Sequence, residues 1–162
     1  MRVARPASSA IAVARVDITS AAAQSLIAAL NAELAAQYPE PGATHFRLDA
    51  DEVAEGRGAF LVASIEGRPV GCGAVRRLEG RTGEIKRMYV APQERGRGVG
   101  RAILDALEAE ARRLGLTRLV LETGVRQREA IALYERAGFG HIAPFGEYVA
   151  SPTTSVCMAK EL

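Results

Sequence analysis

The chain has 162 residues, 48% of them hydrophobic, with 21 Lys+Arg against 19 Asp+Glu and a formal net charge of +2. That is ample apolar content for one core and too small a charge bias to call for nucleic acid. Cys72 and Cys157 give neither a disulfide framework nor a metal-type spacing, which fits a cytoplasmic setting, and no stretch nears the roughly 20 uninterrupted apolar residues of a membrane span. At the N-terminus, Arg2 and Arg5 precede a short apolar run, a faint signal-peptide pattern that Arg15 and Asp17 interrupt. Residues 1–10 read as an N-terminal extension and 11–162 as a single domain.

From Ser20 to Tyr38, Ala22, Leu26, Leu30, Leu34 and Ala35 recur at helical spacing and predict a helix that stops before Pro39 and Pro41. The following EPGATHFRLDADEVAEGRG loses periodicity and reads as a loop with one short helical turn. AFLVASI, PVGCGAVRRL and GEIKRMYV, separated by EGR and EGRT, predict an antiparallel meander with tight turns. Val99, Ile103, Leu104, Leu107, Ala111 and Leu114 form the stripe of a second helix, with Glu108 and Arg112 paired on its opposite face. A buried-type strand at 118–123, a short helix at 129–138 and strands near 140–142 and 156–160 complete the chain. The order predicts an α/β (α+β) fold, a mixed, mostly antiparallel central sheet flanked by helices.

In MYVAPQERGRGVGRAIL a strand, a glycine loop and a helix start follow one another. The first turn of a helix has amides without internal partners and a partial positive charge, so it attracts phosphate, and glycines let those amides come close. Arg95, Arg97 and Arg101 add charge at the same spot. No Lys-Ser/Thr pair follows, which excludes a P-loop, and Arg101 stands where a dinucleotide fingerprint needs its third glycine. A plain turn carrying solvated arginines is the competing reading.

The run EIKRMYVAPQERGRGVGRAILDALEAEA resembles the signature of the GNAT superfamily of acyl-CoA-dependent N-acyltransferases, in which a strand is followed by [RQ]-x-x-G-x-[GA]; here these are Arg95, Gly98 and Gly100. LVLETGVRQREAIALYERAGF is similar to the family's N-x-x-A-x-x-L-Y-x-x-x-G-F, with Gln127 in place of Asn, then Ala130, Leu133, Tyr134, Gly138 and Phe139. The resemblance implies a GNAT-like fold with a splayed gap between strands 4 and 5. It implies acetyl-CoA as co-substrate, with pantetheine along Met88, Tyr89 and Val90 and pyrophosphate on the loop Gly96, Arg97, Gly98, Val99, Gly100 and Arg101, with Gln127 and Tyr134 nearby. No metal is implied. Nucleic acid and membrane are not expected partners, and the resemblance leaves room for a homodimer.

The reaction implied is acetyl transfer to a primary amine of a small molecule, peptide or protein by direct attack. An alkyl amine with pKa near 10.4 is only about one part in a few thousand neutral at pH 7, a handicap of roughly 4–5 kcal/mol unless a base intervenes. By family position the base is Glu84 or Glu122, or a water relayed through either; the bland reading makes both structural carboxylates. Glu84, Lys86, Met88 and Val90 are expected to share one strand face, opposite Ile85, Arg87 and Tyr89. Tyr134 is the implied donor to the departing sulfur, against the alternative of an ordinary core tyrosine. His45, with Tyr38 and Phe46, and Phe145 with Tyr148 are candidates for the acceptor side, and Lys86 or Arg87 for clamping a carboxylate on an amino-acid-like acceptor. Cys72, Cys157 and His141 read as packing or surface residues. A non-catalytic acyl-CoA-binding module and, more weakly, a thioesterase are the alternatives.

Overall fold

This computed structural model describes residues 10–40 and 48–162, which form a seven-stranded sheet flanked by three α-helices. The chain runs β1 (Ile11–Arg15), α1 (Ala21–Gln37), β2 (Gly58–Ile65), β3 (Arg68–Arg77), β4 (Thr82–Val90), α2 (Val99–Arg113), β5 (Arg118–Gly124), α3 (Arg128–Arg136), β6 (Gly140–Ile142) and β7 (Ser155–Glu161). Short 3-10 turns lie at Ala50–Val53, Pro92–Glu94 and Gly146–Ala150. The sheet order is β1-β2-β3-β4-β5-β7-β6. The β4–β5 pair is parallel and the others are antiparallel. This is the mixed, mostly antiparallel sheet that the element order predicts.

Helix α1 opens where Ser20 Oγ accepts from the Ala23 amide at 3.3 Å, a normal N-cap. Its Ala23 and Leu26 pack with Phe60, Val62, Cys72 and Ala74 on one face of the sheet. On the other face Ile103, Leu104 and Leu107 of α2 join Leu61, Val75, Ile85, Leu119 and Met158, with Tyr134 and Phe139 at the α3 end. One strand lies outside the predicted elements, and one local expectation changes. IAVAR, which carries no clean alternation, pairs with β2 as an edge strand because Ile65–Leu61 offers it a ladder. Glu108 does not lie on the solvated side of α2; it is 7% exposed, and Lys160 of β7 donates to it at 2.8 Å.

A bulge in β4 shapes the site. Pairing runs regularly to Ala74↔Lys86 and resumes at Cys72↔Tyr89, so Arg87 and Met88 together oppose Gly73. Arg87 adopts φ +58°, a left-handed conformation that costs an L-residue roughly 1–2 kcal/mol. The Cys72 thiol donates to the Arg87 carbonyl at 3.2 Å and supports the displaced peptide. The extra residue resets the alternation: Ile85, Met88 and Val90 all pack against the α2-side core, while Tyr89 packs with the α1-side cluster. Glu84 therefore does not share a face with Met88, as regular pleating predicted.

A second irregularity follows at once. The parallel β4–β5 ladder ends at Ile85↔Leu121. Beyond that point Lys86–Val90 and Glu122–Gly124 are not paired with each other, and the strands part into a wedge.

Candidate active site

At the end of the wedge, Gly96 and Gly98 take φ +79° and +84°, a turn that L side chains resist, and Gly98 caps α2. The first intrahelical bond of this turn runs from the Ala102 amide to the Gly98 carbonyl at 3.0 Å. The Val99, Gly100 and Arg101 amides thus precede the helical ladder and present donors to an anion. Gly100 lies close beneath α3, where a Cβ would stand 3.1 Å from Leu133 Cδ2. A cleft of about 570 Å³ extends from this loop, between β4 and α3, with Met88, Tyr89 and Val90 on one wall and Ala130, Leu133 and Tyr134 on the other. An amide cradle for phosphates, continued by an unpaired strand edge that can accept an extended amide chain, fits the pyrophosphate and pantetheine of a coenzyme A thioester.

The arginines are more constrained than the loop sequence implied. Arg95 lines the cleft, yet it donates to the Val90 carbonyl at 2.9 Å and to Glu33 of α1 at 2.7 Å, tying α1 to the end of β4. Arg101 pairs with Asp105 at 3.0 Å and Arg97 with Glu94 at 3.1 Å. Gly96, Gly98, Val99, Gly100, Arg101 and Gln127 all line the cleft, and Arg97 lies outside its lining. The Gln127 amide donates to Gln37 Oε1 of α1, so the substitution of Gln for Asn links α3 to α1.

A smaller cavity of about 110 Å³ lies deeper in the wedge, lined by Lys86, Arg87, Glu122, Tyr148 and, shared with the cleft, Met88 and Tyr134. The two candidate bases separate here. Glu84 is 0% exposed and lines neither cavity. Its Oε1 accepts from Arg76 at 2.7 and 2.8 Å and its Oε2 from the Tyr148 hydroxyl at 2.5 Å, while Arg76 also reaches Glu52. Lys86, expected beside Glu84, instead donates to Glu147 at 3.3 Å. Glu122 does line the cavity, and burial pushes its carboxyl up to about 7. The neighbouring Ser155 hydroxyl pulls the other way, although Ser155 Oγ is buried without a hydrogen bond of normal geometry among the described residues; the Glu84 charge adds to the rise.

Tyr134 is 4% exposed, with its ring edge-on to Phe139 at 5.8 Å. Burial, and then the Glu122 charge, raise its phenol above the ordinary range, so it holds its proton firmly. Among the described residues its hydroxyl makes no hydrogen bond, and it borders both cavities.

Other candidates scatter. Tyr38 is buried and its hydroxyl accepts from the Arg126 amide at 2.7 Å, closing the end of α1 over the β5–α3 turn. This ring occupies the space a Cβ on Gly124 would take. His45 and Phe46 lie outside the described residues. Phe145 stacks edge-on behind Tyr148 at 5.2 Å, and His141 is exposed on β6. Burial pushes the Cys72 thiol up to about 12 and raises Cys157, so neither is a ready nucleophile. No helix among the described residues is long and apolar enough to cross a membrane.

The Tyr148–Glu84–Arg76 network and the pairing of Lys86 with Arg87 on one cavity wall were missed from the sequence. Tyr148 lies 64 residues from Glu84, and nothing local connects them. The bulge had one legible trace, the Gly73 that opposes it, where a Cβ would stand 2.6 Å from Met88 Sδ.

A glycine-capped helix start facing a parted β4–β5 pair defines an acyltransferase-type fold, and the comparisons agree. The Acetyltransferase (GNAT) family matches residues 24–139. A relative from Azospirillum brasilense named IAA acetyltransferase is 42% identical over 153 residues, 94% of this chain and 98% of its own. A crystal structure from Klebsiella pneumoniae, described as an acyl-CoA N-acyltransferase, is 37% identical with a TM-score of 0.81, covering 94% of this chain and 97% of that one. A GNAT family acetyltransferase from Elizabethkingia anophelis with acetyl-CoA bound shares the fold, with a TM-score of 0.68 at 19% identity over 94% of this chain and 98% of that one. The chain belongs to the GNAT acetyltransferase family and is an acetyl-CoA-dependent acyltransferase.

Proposed function

We propose that the protein transfers an acetyl group from acetyl-CoA to a primary amine by direct attack, with Glu122 as base and Tyr134 as donor to the departing sulfur. Acetyl-CoA supplies the acyl group as a thioester. The α2 amides at Val99 to Arg101 bind its phosphates, and the unpaired edge Met88–Val90 aligns its pantetheine. This places the reacting carbon where cleft and inner cavity meet, beside Tyr134. Chemistry then needs a proton sink. The amine nitrogen bonds to the carbonyl carbon, its proton passes to Glu122 directly or through water, and the carbon–sulfur bond breaks. A phenol whose proton burial holds firmly stabilises the thiolate by hydrogen bonding without itself ionising. Glu84, which lines neither cavity and has both oxygens already hydrogen-bonded, anchors Tyr148 rather than accepting a proton.

The observation that carries this reading is the position of Tyr134 on the wall common to both cavities, with Glu122 across the inner one. Free CoA thiol measured from acetyl-CoA with and without a panel of amines tests it. Amine-dependent release is expected. Binding of acetyl-CoA without release for any amine would make the chain a binding module, and amine-independent release would make it a thioesterase. Tyr134→Phe should keep the Phe139 contact and lower kcat by about 10²-fold while changing acetyl-CoA affinity little.

A further inference from the structure

The structure assigns Ser155, at the start of β7, as a positioning residue for the base: its buried hydroxyl donates to the Glu122 carboxylate and holds that group ready to accept a proton at the inner cavity. This rests on the acetyl-transfer reading with Glu122 as base. Strand register fixes the relation between the two residues. Beyond Ile85↔Leu121 the end of β5 pairs with β7 alone, as Glu122↔Cys157, Thr123↔Val156 and Gly124↔Ser155. Directly opposed residues point to one face, and side chains alternate along each strand, so Glu122, Gly124, Cys157 and Ser155 share a face. Ser155 is therefore the diagonal neighbour of Glu122. The residue it opposes directly, Gly124, puts no side chain in the way.

The hydroxyl has a proton to offer. Ser155 is 8% exposed, and among the described residues its Oγ is a buried polar side-chain atom with no hydrogen bond of normal geometry. Its backbone is anchored, since the Ser155 amide donates to the Ser151 carbonyl at 3.0 Å. A buried hydroxyl left unmatched is costly and calls for an explanation. Glu122 supplies one. Burial pushes the Glu122 carboxyl up, and the Ser155 hydroxyl opposes that rise more strongly than any neighbouring charge. Both ends are soft rotors, the glutamate at χ3 and the serine at its hydroxyl, so a small turn aligns the bond once the carboxylate is ionised. Cys157, directly opposite Glu122, has only a thiol, a weak donor. The charges facing Glu122 are Glu84 and Lys86 from β4 and Glu147 from the 3-10 turn, of which Lys86 alone favours ionisation. Tyr38, Tyr134, Tyr148 and Cys157 also face it, and burial raises all four, so they stay neutral as Glu122 titrates.

Carbon NMR of the Glu122 carboxyl, which needs no turnover, should give a titration midpoint about one pH unit higher in Ser155→Ala than in wild type, the shift of one charge-assisted hydrogen bond. Ser155→Cys, with its weaker donor, should move the midpoint the same way by less, and Ser155→Thr, which keeps the hydroxyl, should return most of the shift. Thiol release should follow. Relative to wild type, kcat/KM of Ser155→Ala for one amine should be about tenfold lower near pH 6 and nearly equal near pH 9, because the amine's own titration is common to both proteins. In a Glu122→Gln background, Ser155→Ala should lose that pH dependence. A midpoint unmoved in both Ser155→Ala and Ser155→Cys, or one that moves down because Ser155 accepts from the protonated acid, would overturn the positioning role, while amine-dependent thiol release would leave acetyl transfer intact. A midpoint that rises with a flat rate ratio, or with no amine acetylated, would keep the hydrogen bond but remove Glu122 as base, and the positioning role with it.

Discussion

Replacing Glu122 with glutamine should make the protein slower and, at alkaline pH, more stable. Burial holds the Glu122 proton until about pH 7, whereas the ordinary carboxyl releases it near 4.5. Between those values the unfolded chain loses a proton that the folded chain keeps, so wild-type stability falls as pH rises and levels off above 7. The gap corresponds to a ceiling of about 3 kcal/mol, reduced by whatever solvent reaches the carboxyl. Glutamine has nearly the same volume and no proton to lose, so it escapes this cost. Thermal melts should converge near pH 4.5 and separate by up to roughly 6–12 °C in favour of Glu122→Gln at pH 8. Kinetics should move oppositely. Wild-type kcat/KM should fall about tenfold per pH unit below 7, and Glu122→Gln should lose about 10²-fold or more near pH 8 with a flattened profile. A variant that keeps the wild-type pH profile and gains no stability at pH 8 would refute both the desolvation and the role as base.

Gly98→Val forces a β-branched residue to φ +84° at the cap of α2; it should cost about 1–2 kcal/mol in denaturant melts and raise the acetyl-CoA KM more than it lowers kcat. Gly124→Ala puts a Cβ onto the Tyr38 hydroxyl and should displace that ring, with loss of protection at the Arg126 amide in hydrogen exchange. Tyr148→Phe leaves Glu84 Oε2 buried without its donor, and chemical denaturation should register about 1–3 kcal/mol of destabilisation.

Local signals made much of this protein legible. The stripe from Val99 to Ala111 predicts a helix with one buried face, and Gly96 and Gly98 permit the positive-φ turn before it, so the exposed amides at the start of α2 follow from chain neighbours alone. Tyr134 reads the same way, since Ala130, Leu133 and Ala137 share its inward side. Only the tertiary structure decided what the β4–β5 wedge contains. Strand periodicity assigned Arg87 to the wrong face and Met88 to the side of Glu84, because one extra residue in β4 reverses every later side chain, and nothing in GEIKRMYV marks that insertion. Choosing between two carboxylates was likewise beyond local reading. Glu84 and Glu122 differ through Arg76, Tyr148 and the depth of burial, and those neighbours arrive from distant strands and turns. Short-range pattern governs which element forms; a charge's chemistry depends on what folding brings within a few ångströms of it.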